Sequence, residues 1–440
     1  MIKRMLIPVG AALALALAML IGEGCSKSSS TGPGGGGGAG GVVTVTGKVV
    51  GQNGQPVAGV PVVVTGKAST NSDAGGNFSI ANVTTPYDIS VVDAVNKAAI
   101  LYKGLTRTDP TLLALGSTGG TSHTGSISGK ISGGTFTPNQ GANDVTNVVF
   151  ASPEVTHEVS TAVSGTFGPF TLNWFGPTAT TGTLYALQFT ADAGGLPVAS
   201  GFKGYGARAG IAVNDGATLT NQFDTLQSVA TNQFTGTVTS PSGYTLGGKV
   251  VYARVSPVAL IPFVSDNTAN ASVSYYTPGI TGASLVLGAQ VSKTAGGTAI
   301  LWKNGLATAA TGVSIAVPAP PELSLPVDAA TGIDTSVTFS WTQMTGAVHL
   351  IIFTASGTGP AYYVLTSGTS ATIPNLKPFG LGLPTAAAYK WQVYGFGPFA
   401  SVDAAAGSTS FLSALLGPPA SSAGDAIVGV STQRTITTAP

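Results

Sequence analysis

Charged residues are scarce in this chain: Asp, Glu, Lys and Arg make up 8% of its 440 residues, with 18 basic and 17 acidic side chains. An ordinary soluble protein has about 25%. The formal net charge is +1, and there is no basic block. Nucleic-acid binding, which needs clustered Lys and Arg, is therefore not expected. We also expect no enzyme activity, because few ionisable groups are available to build a tuned acid–base pair.

Cysteine and histidine are equally sparse. Cys25 is the single cysteine, which excludes a disulfide framework and a thiolate metal site. The three histidines are His123, His157 and His349, and none of them lies at metal-ligand spacing from another ligand type. The sequence therefore predicts no metal and no cofactor.

Long hydrophobic runs are absent except at the N-terminus. Lys3 and Arg4 precede an apolar run at 5–21, and small residues follow it, so we predict an export signal over 1–24. Gly24-Cys25 resembles the lipid-attachment site of bacterial lipoproteins, although Gly22 and Glu23 depart from that pattern. The resemblance implies a lipid on Cys25 and an outer-membrane protein, on the periplasmic or the cell-surface face. The alternative is ordinary signal cleavage beside an incidental cysteine.

Glycine dominates the next segment. Residues 25–41 are Ser-rich and then almost pure Gly, a composition that cannot bury a core and behaves as a flexible coil. We interpret this segment as a tether between a membrane anchor and the folded part of the chain.

One pattern occurs three times, at 99–105, 198–205 and 299–306. It consists of a small or apolar run, an aromatic residue, Lys and then Gly, and each copy lies downstream of a similar Gly-containing opening. The repetition indicates related β modules in series, which is more typical of an extended surface protein than of an enzyme with one site. The recurring aromatics Tyr102, Phe202 and Trp302 are interpreted as core residues.

The first module, 42–118, carries the clearest pattern. Val43, Val45 and Val49 alternate with polar residues, and the Asn53-Gly54 pair marks a hairpin. The spacings Gly54-x-Pro56-Val57-x-Gly59-Val60-x-Val62 and Gly76-x-Phe78-x-Ile80 resemble the carboxypeptidase regulatory-like domain, a transthyretin-like β-sandwich. The resemblance implies an accessory or adhesive unit without catalytic residues. The turn at 73–77 is expected to be a plain hairpin rather than a calcium site.

The next two modules, 119–231 and 232–317, keep the opening Gly and the closing aromatic-Lys pattern. They lose the Pro-Val-x-Gly hairpin of the first module. We predict that both are divergent β-sandwiches.

The last segment, 318–440, begins with the stiff run Pro318-Ala319-Pro320-Pro321. Trp341, Leu383 six residues before Tyr389, and a final strand at 435–438 resemble the fibronectin type III domain. The resemblance implies a sandwich with Trp341 in its core. A long insertion between Val393 and Ile436 departs from that family.

Two tyrosine pairs are candidate binding residues: Tyr275-Tyr276 and Tyr362-Tyr363. Side chains alternate along a strand, so one ring of each pair is expected to face outward, where it could stack on a sugar. An exposed tyrosine is also ordinary on a strand.

The long insertion supplies a second candidate. Its apolar residues lie at helical spacing and are Phe411, Leu412, Leu415 and Leu416. The predicted helix either packs on the sandwich as a lid or presents an apolar face to another envelope protein.

The sequence thus predicts an all-β chain of tandem immunoglobulin-like or transthyretin-like β-sandwich modules, ending in a fibronectin type III-like sandwich. The predicted function is that of a non-catalytic cell-envelope lipoprotein that displays these modules for adhesion, binding or envelope structure. An accessory carbohydrate-binding protein of a polysaccharide-processing or secretion system is the alternative.

Overall fold

The computed structural model describes residues 40–132, 144–160, 165–294, 296–407 and 424–440. The predicted all-β class is confirmed, since the described residues form thirty strands and only two short helical turns. Among these residues, no helix has the length and apolar character needed to cross a membrane. The predicted signal, Cys25 and most of the tether lie outside the described residues.

The first three modules share one topology of seven strands in two sheets. In the first module the strands are β1 (Val42–Gly51), β2 (Pro61–Val64), β3 (Thr70–Asn71), β4 (Asn77–Thr84), β5 (Tyr87–Asp93), β6 (Ala98–Leu105) and β7 (Thr111–Ala114). One sheet has the order β4-β1-β7, with β1 and β7 parallel, and the other has the order β3-β2-β5-β6.

The second and third modules repeat this arrangement strand for strand. The second contains β8 (Ser122–Ser132), β9 (Asp144–Ala151), β10 (Thr156–Ser160), β11 (Thr166–Phe175), β12 (Ala179–Ala191), β13 (Pro197–Asn214) and β14 (Thr218–Thr225). The third contains β15 (Thr231–Thr239), β16 (Thr245–Ser256), β17 (Ala259–Asp266), β18 (Ser272–Pro278), β19 (Ser284–Ser292), β20 (Thr298–Leu306) and β21 (Val313–Ala316). Their sheets have the orders β11-β8-β14, β10-β9-β12-β13, β18-β15-β21 and β17-β16-β19-β20.

The threefold pattern marks the sixth strand of each module. Tyr102 on β6, Phe202 on β13 and Trp302 on β20 are all buried. The Lys that follows each of them is at least partly exposed, because successive side chains on a strand point to opposite faces. The prediction that the recurring aromatics are core residues is confirmed.

The turn at 73–77 is not the predicted hairpin, because it connects β3 in one sheet to β4 in the other. Asp73 Oδ1 accepts hydrogen bonds from the backbone N–H groups of Gly75 at 2.9 Å and Asn77 at 2.7 Å. These bonds lower the pKa of the Asp73 carboxyl, and the Asn77 backbone contributes most. The carboxylate therefore shapes the turn.

The C-terminal sandwich contains nine strands. They are β22 (Leu323–Leu325), β23 (Ala330–Ile333), β24 (Phe339–Trp341), β25 (Val348–Ala355), β26 (Ala361–Thr366), β27 (Ser370–Ala371), β28 (Ala388–Gly397), β29 (Ala426–Val430) and β30 (Arg434–Thr438). A 3-10 turn spans Lys377–Phe379, and a single helical turn, α1, spans Val402–Ala405. Trp341 is buried in the core between the sheets, and β30 is the predicted last strand.

A 14-stranded sheet joins three of the four modules. Strand β26 of the C-terminal sandwich runs parallel to β6 of the first module, with Ala361 opposite Ala98 and Leu365 opposite Tyr102. Strand β29 pairs with β28 on one side and with β20 of the third module on the other. The expectation of modules strung in sequence order is wrong here, because the last module lies between the third and the first.

The shared sheet also creates shared cores. On one face, Val348, Leu350 and Tyr363 pack with the core of the first module, and on the other face Ile351 and Tyr362 pack in the core of the C-terminal sandwich. Strands β25 and β26 are therefore covered on both faces.

The second module stacks on the third. The Phe202 and Phe263 rings meet edge to face with centroids 5.6 Å apart, and Asn147 Nδ2 donates to the Pro262 carbonyl at 2.8 Å. This contact places one face of the second module's larger sheet against the third module.

Candidate functional site

Of the four tyrosines in the two candidate pairs, three are buried and one is partly exposed. Tyr362 is 0% exposed, Tyr363 6% and Tyr275 5%, whereas Tyr276 is partly exposed. For the 362–363 pair, the expectation of an outward-facing ring is wrong because β26 is covered on both faces. The Tyr362 hydroxyl donates to the Leu381 carbonyl at 3.1 Å, so its polar group is satisfied inside the core.

The other candidate residues are not described. Cys25, Phe411, Leu412, Leu415 and Leu416 lie outside the described residues, and their predicted roles stay predictions.

Residues 398–433, hereafter the insert, lie between β28 and β30 and connect three of the modules. Its described parts are 398–407 and 424–433. They contact the first module at one end and the third module at the other.

At the first end, α1 lies against the first module. Ser401 caps the turn, with its side chain accepting from the Ala404 N–H at 3.3 Å. Asp403 then accepts bonds from the N–H groups of Thr106 at 2.8 Å and Arg107 at 3.0 Å, and from the Thr106 hydroxyl at 2.6 Å. One carboxylate thus satisfies three donors at the end of β6.

The surroundings of Asp403 reinforce this junction. Arg107 donates to the Asp403 carbonyl at 3.0 Å and pairs with Asp109 at 2.7 Å. Tyr87 donates its hydroxyl to the Arg107 carbonyl at 2.6 Å, and burial, followed by the nearby Asp403 charge, raises the Tyr87 pKa well above its ordinary value. The Thr111 N–H also bonds the Ala406 carbonyl at 2.7 Å.

At the second end, Asp425 lies against the third module. Its Oδ2 is 2.8 Å from Lys303 Nζ, and Lys303 is the Lys of the third repeated pattern. The neighbouring Asn304 donates to the Gly424 carbonyl at 2.9 Å and accepts from Arg254 at 2.9 Å. The insert is therefore bound at one end to the residues that follow β6, and at the other end to β20, which is the equivalent strand of the third module.

A buried polar cluster lies inside the third module. Lys249 is 0% exposed, and its Nζ is 3.0 Å from Asp266 Oδ2, which also accepts from the Tyr275 hydroxyl at 2.6 Å. Lys249 also donates to the Asn270 carbonyl at 2.5 Å. Burial alone would raise the Asp266 pKa, but the bonds from Tyr275, Thr268 and Lys249 outweigh it and leave the pKa lowered. The cluster is internally satisfied and anchors the loop after β17.

An open depression of about 570 Å³ lies at the edge of the third module, and it is lined by Gly243, Thr245, Ser292, Lys293 and Thr294. Lys293 Nζ is 3.0 Å from Glu322 Oε1, which also accepts from the Tyr244 hydroxyl at 2.9 Å. The Lys293 bond, with that of Tyr244, lowers the Glu322 pKa. These groups satisfy one another and link the third module to the start of the C-terminal sandwich.

Within the described ranges, no group of three or more His, Cys, Asp or Glu side chains could hold a metal ion. Sequence reasoning missed Asp403 and Asp425, since a lone Asp in a loop carries no signal. It also missed the two-faced burial of β25, although the run Leu350-Ile351-Ile352-Phe353 is typical of a strand covered on both sides.

No family model and no curated protein matches the chain. Several solved structures resemble the chain at low sequence identity. The Bacillus anthracis TIE protein is 10% identical over 63% of this chain and 50% of its own, with a TM-score of 0.15. The fimbrial anchor protein Mfa2 of Porphyromonas gingivalis is 14% identical over 41% and 78%, with a TM-score of 0.17. The shaft pilin SpaA of Lactobacillus rhamnosus GG is 8% identical over 43% and 99%, with a TM-score of 0.14.

These scores are too low to assign a function to this chain. The alignment spans half the length of the TIE protein. The β-sandwich fold stated above rests on the strands of this chain and their pairing.

Proposed function

We propose that the chain is a non-catalytic, lipid-anchored envelope protein that holds β-sandwich modules away from the membrane as one rigid body. The observation that carries the proposal is the sheet shared by the first, third and last modules, with cores that cross the module boundaries. A rigid body of this kind suits adhesion or envelope structure. We propose no nucleic-acid partner.

The start of the described chain supports a tether. Gly40 donates its N–H to the Thr85 carbonyl at 2.8 Å, and the Thr85 N–H donates to the Gly41 carbonyl at 3.0 Å. Gly40 and Gly41, the last two residues of the Gly-rich segment, therefore lie beside the end of β4 in the first module. Three of the four paired tyrosines are buried and Tyr276 is partly exposed, which leaves little ring surface for a sugar, so we propose no polysaccharide ligand.

Replacing Cys25 with Ser tests the anchor. We expect the unmodified chain to fractionate with membranes and the Cys25→Ser chain to move to the soluble fraction, because two acyl signals are needed for stable anchoring and both would depend on this residue. Ser28→Ala in the same tether is the matched control and should stay with membranes. Membrane association that survives Cys25→Ser would refute the lipid anchor.

A further inference from the structure

His349 is a buried histidine with two backbone partners. It lies on β25, is 0% exposed, and packs its ring against Trp341 with centroids 5.7 Å apart. Its Nε2 is 3.1 Å from the Met344 nitrogen, and its Nδ1 is 3.1 Å from the Gly368 carbonyl oxygen.

These two contacts fix the protonation of the ring. The Met344 N–H can only donate, so Nε2 must be the unprotonated, accepting nitrogen. The Gly368 carbonyl can only accept, so Nδ1 carries the hydrogen. The imidazole is therefore neutral in this structure, and a second proton would go on Nε2, facing the Met344 N–H.

The Met344 loop, 342–347, is part of the junction between the third and last modules. Met344 is 0% exposed and belongs to the core of the third module. Its sulfur covers Gly395 on β28 and Gly429 on β29, where an added Cβ would lie 2.5 Å from it. In the same loop, the Gly346 carbonyl accepts a hydrogen bond from the Phe399 N–H at 3.1 Å.

Two described charged side chains share the ring's face of the sheet. Arg434 on β30 lies opposite Trp391 and donates to the Leu323, Ser324 and Pro326 carbonyls, and the partly exposed Lys103 on β6 lies beyond Thr366. The facing positions are Trp341 on β24, Val364 and Thr366 on β26, and Val393 and Gly395 on β28. The other titratable groups on this face are the Tyr362 and Tyr389 hydroxyls, which stay neutral because burial raises their pKa. Glu322 accepts the N–H of loop residue Thr342 on its backbone carbonyl. Its side chain pairs with Lys293.

We propose that His349 is an acid-sensitive lock on the junction between the third module and the C-terminal sandwich. Protonation of Nε2 replaces an acceptor by a donor, so the Met344 N–H loses its partner. Loop 342–347 then releases β28 and β29, and the junction opens while the sandwiches stay folded.

Burial supplies the driving force. It lowers the His349 pKa from 6.5 to about 4, against a smaller opposing effect of the Gly368 bond. A group with a depressed folded-state pKa stabilises the closed form fully above its ordinary pKa, and the stabilisation is lost as the pH falls towards the folded pKa. If the open loop has an ordinary histidine, the opening constant rises about 20-fold from pH 7 to pH 5 and about 100-fold by pH 4.

Hydrogen exchange of the full mature chain tests the lock. Protection of segments 318–324, 342–348 and 426–430, corrected for intrinsic exchange rates, should fall by these factors between pH 7 and pH 4. Strands β9 and β12 of the second module should stay protected over the same range. His349→Gln, which keeps one donor and one acceptor but does not titrate, should remove the pH dependence.

Three results would overturn the proposal: unchanged junction protection down to pH 4 in the unmodified chain, the same loss in His349→Gln, or equal loss in the second module. If His349→Gln does not fold, ring titration by NMR in the unmodified chain replaces it. The His349 ring must then titrate together with the loss of junction protection, and a junction that opens around a neutral His349 ring contradicts the lock.

Discussion

At the scale of residues, several of the few charged side chains lie at contacts between modules. Asp403 binds the first module, Asp425 pairs with Lys303 of the third, and Glu322 pairs with Lys293. Exposed pairs contribute little to stability, whereas a carboxylate that satisfies several partly buried donors contributes more. Asp403 is of the second kind.

Asp403→Ala should destabilise the junction with the first module. The change leaves the N–H groups of Thr106 and Arg107 without their acceptor, at a cost of roughly 2–3 kcal/mol in the free energy of unfolding. Denaturant unfolding measures this loss. Asp109→Ala is the control, since it removes only the partly exposed ion pair with the same Arg107 and should cost less than about 1 kcal/mol. Equal effects of the two changes would contradict the role given to Asp403.

Sequence reasoning at this scale succeeded where a residue repeats and failed where burial depends on a distant partner. Tyr102, Phe202 and Trp302 were predictable as core because the following Lys occupies the other face. The exposure of Tyr362 or Tyr363 was predicted from alternation alone. Alternation assumes one solvated face, and β26 has none because a separate module covers it.

At the scale of elements, β29 connects the C-terminal sandwich to the third module. It continues the edge of the C-terminal sandwich and pairs with β20 over five residue pairs, from Thr298–Val430 to Trp302–Ala426. The sequence showed an insertion at this place but not a strand, because Ala426-Ile427-Val428-Gly429-Val430 is short and its partner lies more than a hundred residues away. Pairing over such distances leaves no local pattern.

Gly297→Ala should loosen this pairing. A Cβ at Gly297 would overlap the Val430 carbonyl oxygen and press on Pro320, so β20 and β29 must move apart, at about 1–3 kcal/mol. Gly247→Ala in the same module meets only the Gln290 carbonyl oxygen at 3.8 Å and should be tolerated. Hydrogen exchange of β29 distinguishes the two variants, and equal protection in both would show that the close approach at Gly297 is unimportant.

At the scale of the whole molecule, the order in space differs from the order in the chain. The all-β class followed from turn residues and strand periodicity, and the seven-strand topology shared by the first three modules explains why the repeated pattern recurs. The joining of the first and last modules could not be predicted. It includes one parallel strand pair whose paired residues, 98–102 and 361–365, are aliphatic or tyrosine and therefore resemble ordinary core strands.

The most direct test of the shared sheet is a disulfide across β6 and β26. Ala98 and Ala361 are partners in the parallel register, and adjacent strands lie within disulfide range. In a chain with Cys25→Ser, we predict that Ala98→Cys with Ala361→Cys forms an intramolecular disulfide under mild oxidation. The within-module partners Thr46→Cys and Ser79→Cys are the positive control. Two free thiols in the first variant, under conditions that oxidise the control, would contradict the joining of the first and last modules.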